Sequence, residues 1–238
     1  MIVRRDERIS TRLACDLGVD APLLLFTEDG AKVSEYIPNA VTMNAGLLRE
    51  PQRIEQAAQI FKTIHTCGVD TGVPFEVFDM AANYESIILE NHVPMFEDYE
   101  TVKAAVMRIK KEIDESHLIT KVPCHNDSLC ENWVEGNGRM YLIDWEYAGM
   151  NDAMWDLADL SIEAEYGDLH DAELLRAYLG REALPSERKH FLTNKIYVDY
   201  LWTLWAKTRV PFDGQPMEYW AIQRYTRLKA FIHAYAAS

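Results

Sequence analysis

His125-Asn126-Asp127-Ser128-Leu129-Cys130-Glu131-Asn132, followed by Asp144 in Tyr141-Leu142-Ile143-Asp144-Trp145-Glu146, is the stretch that decides the fold. It reads as a polar loop, a pair of strands and a carboxylate at a strand end. Phosphoryl transfer to a hydroxyl asks few groups of a protein: a carboxylate to take the hydroxyl proton, and oxygen ligands to hold Mg²⁺ on the phosphates. Mg²⁺ keeps several of its waters, so one Asn and one Asp are a sufficient protein share. Asp127 fits the base, and Asn132 and Asp144 fit the metal ligands. Each half alone is weak evidence. Asp and Asn also cap turns, and Val134–Tyr141 around Gly136-Asn137-Gly138 is by itself an ordinary hairpin.

Taken together, the His-x-Asp-x-x-x-x-Asn spacing, the hairpin and the Ile-Asp strand end follow the logic of a kinase catalytic loop and its metal-binding Asp. At these residues the sequence resembles the choline kinases within the aminoglycoside-phosphotransferase-like kinases, and is most like bacterial enzymes that make phosphocholine for surface polysaccharides. The resemblance runs from about Glu7 onward. It includes Ile143-Asp144-Trp145-Glu146-Tyr147-Ala148-Gly149, Asn151-Asp152, Trp155-Asp156-Leu157-Ala158 and the Trp-x-x-Trp of Asp199–Trp205. It implies an α+β, protein-kinase-like two-lobed fold. The N-terminal nucleotide lobe and hinge (1–38) would be reduced, and the C-terminal lobe (39–238) large and mainly helical. The implied reaction moves the γ-phosphate of ATP, with Mg²⁺, to the hydroxyl of choline or a close amino alcohol.

Composition narrows the classes. The formal charge of −14 argues against a nucleic-acid partner and against docking on anionic lipid, and it suits a small cationic substrate. Cys15, Cys67, Cys124 and Cys130 form no Cys-x-x-Cys pair, so neither a zinc site nor a disulfide framework is indicated. Cys124 and Cys130 read as small buried residues beside the loop. No apolar run approaches a membrane span, and the charged N-terminus does not read as a signal peptide. A cytoplasmic protein is expected.

Apolar spacing predicts helices at 4–17, 54–66 and 99–117, then near 153–164, 172–179, 186–207 and 217–236, with Gly18 stopping the first. Pro22–Phe26 and Ala31–Ile37 read as strands joined at Glu28-Asp29-Gly30. By resemblance, Ser34–Ile37 links the lobes, and backbone groups of Glu35 and Ile37 pair with adenine; a plain half-buried strand is the alternative. Glu7 falls where the family has the helix Glu that pairs with a phosphate-binding Lys. Neither that Lys nor a Gly-rich phosphate loop is in the sequence, so the front lobe is expected to be short of its first strands. Arg4 and Arg5 are expected to be solvated.

Trp202 and Trp205 share a helix face. A quaternary ammonium donates no hydrogen bond and is held by aromatic faces. Core packing is the alternative for this pair. The resemblance adds Tyr147, Glu163 and Tyr219 to the ammonium site, and leaves Trp145, Trp155 and Trp220 to packing. Leu160 and Ser161 depart from the aromatic-rich family helix. Asp156 is expected to bond back to the catalytic loop or to cap its own helix. His125 is expected to orient the loop, His65 to be a satisfied core residue and Glu131 to be solvated. Two rivals remain at this level: a silent choline-binding protein, and a kinase for ethanolamine, an aminoglycoside or another hydroxyl compound. Oligomeric state is not legible.

Overall fold

The computed structural model describes residues 2–116 and 119–237. The first helix, α1 (Arg4–Asp16), ends where Gly18 takes φ +72°, and buries Glu7, Ser10, Thr11 and Ala14. β1 (Leu23–Phe26) and β2 (Lys32–Ser34) follow as an antiparallel hairpin. β2 ends earlier than the sequence predicts: Glu35 and Ile37 lie beyond it, though the Glu35 N–H still donates to the Pro22 carbonyl at 2.9 Å. β3 (Val41–Thr42), α2 (Ala45–Leu48) and α3 (Pro51–His65) come next. α3 buries the predicted stripe of Ile54, Ala57, Ala58, Phe61 and Ile64.

α4 (Val77–Glu90) was not predicted, and α5 (Tyr99–Ser116) was; the predicted end of α5 at His117 lies outside the described residues. β4 (Lys121–Cys124) leads into the catalytic stretch. A single 3-10 turn at Cys130–Asn132 then opens the hairpin of β5 (Trp133–Gly136) and β6 (Arg139–Leu142). Asn137 and Gly138, both at positive φ, make its tip, as a two-residue hairpin turn requires. β7 (Gly149–Asp152) pairs antiparallel with β4, and β3 pairs with β5. These two short pairings were not predicted. α6 (Ala153–Glu163), α7 (Asp168–Leu179), α8 (Pro185–Asp213) and α9 (Gln215–Ala236) complete the order.

The contacts divide the chain into two compact units: Met1–Phe75 with Thr120–Pro185, and Glu76–Ile119 with Ser186–Ser238. In the first, α3 packs on α7, and Trp133, Trp155, Phe61, Leu48 and Leu157 are fully buried. Burying one such large side chain contributes about 1.5–3 kcal/mol. The catalytic stretch lies wholly within this unit. The second unit joins α5 to α9 and holds the α8 tryptophans. Among the described residues no helix is long and apolar enough to cross a membrane.

Candidate active site

Residues 125–129 have no strand or helix to hold them, so side chains from other elements must take up their backbone groups. Asp156, fully buried in the first turn of α6, does most of this. Its Oδ2 accepts from the His125 N–H at 2.8 Å and its Oδ1 from the Asn126 N–H at 2.7 Å. Asp159, one turn on and equally buried, accepts from the Ser128 N–H. Asn126 sits at φ +68°, a conformation costing about 1–2 kcal/mol for a residue with a Cβ. It is fixed there at both ends of its amide: Nδ2 donates to the Tyr147 carbonyl (3.1 Å), and Oδ1 accepts from Asn151 Nδ2 (2.9 Å). The Trp155 indole donates to the Asn126 carbonyl at 3.1 Å. Trp155 is therefore more than a packing residue, while Asp159 and Asn151 hold the loop in ways the sequence reading missed.

His125 does orient the loop. Its Nδ1 accepts from the Asp127 N–H (3.3 Å), so Nε2 carries the proton and donates to the Ile143 carbonyl (2.9 Å). Burial holds its pKa below the usual imidazole value, outweighing Asp156 and the Ile143 carbonyl, which act the other way. A neutral ring with both nitrogens engaged is a strut and not a base. Ile143 is held a second time, its N–H donating to the Asn132 carbonyl at 2.9 Å. Asp144, next in the chain, thereby enters beside the loop, at φ +69° and exposed. Asn132 donates through Nδ2 to the Asp127 carbonyl (2.9 Å). Asp127, Asn132 and Asp144 are thus brought to one place by the chain's own hydrogen bonds. Asp127 is half-buried and Asn132 buried. With its nitrogen used, Asn132 has Oδ1 left as a ligand atom. That oxygen and the Asp144 carboxylate are hard donors of the kind Mg²⁺ takes.

His65 is the satisfied core residue expected, and it extends the prop. Its Nε2 lies 3.0 Å from Asp156 Oδ2 and its Nδ1 3.0 Å from the Tyr178 hydroxyl. His65, Cys124 and Asp156 bring possible ligand atoms within 4.8 Å of one another. Both Asp156 oxygens are taken by backbone donors, and burial pushes the Cys124 thiol up. The cluster supports the loop. Cys130 is buried too, its thiol pushed up to about 12, and Glu131 is exposed as expected.

At the other predicted positions the outcome is mixed. Tyr147 and Glu163 are half-buried in the first unit, with the Glu163 carbonyl accepting from Cys130 Sγ. In the second unit Trp202 and Trp205 meet at 90°, ring centroids 6.2 Å apart. The aromatic that extends this pair is Trp220, 5.8 Å from Trp205, whereas Tyr219 is 64% exposed. Arg4 is not simply solvated. Its Nη1 lies 2.6 Å from Glu7 Oε2 and 3.7 Å from Glu146 Oε2. Glu7 therefore has a cationic partner on its own helix. Burial raises the Glu146 pKa, with Asp144 and Glu7 adding to it and Arg4 opposing.

The model of the choline/ethanolamine kinase family matches residues 1–210. A crystal structure of a choline/ethanolamine kinase family protein from Mesorhizobium loti superposes with a TM-score of 0.90 at 33% identity, over 96% of this chain and 80% of that one. The choline kinase LicA from Streptococcus pneumoniae superposes at 0.85 and 32% identity, over 98% and 82%. A LicA structure in complex with AMP does so at 0.84 and 30% identity, over 99% and 80%.

Proposed function

The chain belongs to the choline/ethanolamine kinase family, and on that footing we propose that it transfers the γ-phosphate of ATP to the hydroxyl of choline. Asp127 accepts the hydroxyl proton as the substrate oxygen forms its bond to phosphorus and the bond to the ADP oxygen breaks. Asn132 and Asp144 would hold Mg²⁺, which when bound neutralises phosphate charge. The observation that carries the assignment is the knot that ties the three residues: Asn132 bonded to the Asp127 carbonyl, and Ile143 bonded to both Asn132 and His125. A residue whose backbone is held on both sides, by His125 and by Asn132, supports a role as general base.

Residues 1–38 would serve the nucleotide. With the Glu35 N–H committed to Pro22, the Glu35 carbonyl and the Ile37 N–H are the groups we assign to adenine. A relative solved with AMP supports nucleotide binding. We assign the substrate ammonium to Trp202 and Trp205, whose perpendicular faces suit a methylated cation better than a primary amine, which needs acceptors.

The test is Asp127→Asn, with turnover and choline titration measured together. Turnover should be abolished with choline affinity nearly unchanged; surviving turnover would refute the base assignment. Wild-type chain that takes up choline but no ATP–Mg²⁺ would instead be a silent binding protein.

A further inference from the structure

We propose that Arg4 binds the nucleotide's phosphates. The proposal rests on the kinase reading above and adds to it a residue at the very start of α1. Arg4 Nη1 contacts Glu7 and approaches Glu146, and Asp144 is near enough to stabilise the charged guanidinium as well. One guanidinium thus meets two carboxylates, the second of them two residues beyond the one assigned to the metal. It is steered from several sides. Glu7 is buried beneath it. The turn between β1 and β2 closes over its stem: a Cβ at Gly30 would fall 2.6 Å from Arg4 Cδ and Nε, and Gly30 stands at φ +95°. That approach is open only to glycine.

A surface ion pair stabilises a fold little, and the Arg4 side chain is 43% exposed. The arrangement is better explained by an incoming anion. Guanidinium offers a planar fork of donors matched to phosphate oxygens. Both carboxylate contacts run through Nη1, and the Gly30 turn lies against Nε, which leaves Nη2 for a ligand. A polyphosphate arriving at a site that already holds Asp127, Asp144, Glu146 and Glu7 needs positive charge there beyond the metal's. Arg4 supplies it, and Glu7 and Glu146 keep the guanidinium over the Asp144 segment until the ligand arrives.

The experiment titrates the wild-type chain, Arg4→Gln and Arg4→Lys with ATP, ADP and AMP at fixed Mg²⁺. Arg4→Gln should lose about tenfold or more in ATP affinity, the loss expected for one charge-assisted contact, with AMP affinity within about twofold. Arg4→Lys keeps the charge without the fork and should lose ATP affinity by a smaller factor, again sparing AMP. It also serves as the test if the Gln variant fails to fold. Equal losses for ATP and AMP would make Arg4 a strut and overturn the proposal, and so would no loss. Wild type that binds none of the three nucleotides would overturn the kinase reading itself, and this proposal with it.

Discussion

Replacing Asp156 by Asn should loosen the catalytic loop without touching any group assigned to chemistry. The carboxylate serves three donors: Oδ2 takes the His125 N–H and His65 Nε2, and Oδ1 takes the Asn126 N–H. An amide has one acceptor oxygen. Its better orientation keeps that oxygen at the Oδ2 position and turns its NH₂ toward the Asn126 N–H. That orphans one buried donor, at about 1–3 kcal/mol, and removes charge assistance from the two remaining bonds, for a total of roughly 2–4 kcal/mol. The loss is local, so amide hydrogen exchange reads it best. Opening around Asn126 should become roughly 30- to 700-fold more frequent. The Ser128 amide, held by Asp159, should change much less. An Asn126 amide that exchanges at the wild-type rate in the variant would refute the idea that Asp156 shapes the loop.

Trp205→Ala should weaken choline by about 0.5–2 kcal/mol, read as a rise in its dissociation constant, and ethanolamine far less; equal losses would remove the cage. Gly136→Ala would place a Cβ 2.3 Å from Ile37 Cγ2 and 3.1 Å from the Pro38 carbonyl. Such overpacking costs about 1–3 kcal/mol, and since it displaces Ile37 it should raise the KM for ATP more than that for choline. His125 sets a pH dependence. Its folded pKa is depressed by burial, so its contribution to stability is complete above the free-imidazole value of about 6.5 and is lost as pH falls toward the lower folded value. The denaturation midpoint should therefore fall below about pH 6.5, with a shallower slope in His125→Gln.

The catalytic motif was legible because its chemistry forces residue type and spacing together. What holds it was only half legible. Asp156 was read as a loop contact, yet Asp159 was passed over, since a second helical carboxylate one turn on looks like an ordinary polar position until its donor is known. α4 escaped because apolar residues such as Met80, Ile87 and Leu89 lie outside its buried stripe of Val77, Ala81, Tyr84 and Ile88 and blur the helical period. β3 is only two residues long, and β7, Gly149-Met150-Asn151-Asp152, has no apolar alternation, so only their partners β5 and β4 define them. Around Trp205 the ring neighbour is Trp220, while Tyr219, one residue earlier and so about 100° away on the helix, is exposed. Arg4 was assigned to solvent because sequence position says nothing of the turn at Gly30 that closes on it.

The buried carboxylates of α6 separate what a mutation can silence from what it can unfold. Asp156 and Asp159 fix the path of the loop without meeting a substrate. Asp127, the half-buried residue that would meet one, joins the loop through its backbone, its N–H donating to His125 and its carbonyl accepting from Asn132. On the proposed assignment, loss of Asp127 should remove turnover, whereas loss of Asp156 should disturb the scaffold first. Within a lineage the shape of this loop can therefore outlast its chemistry. A surviving pair of aspartates on α6 would testify to inherited architecture, and position 127, with Asn132 and Asp144, to the proposed chemistry.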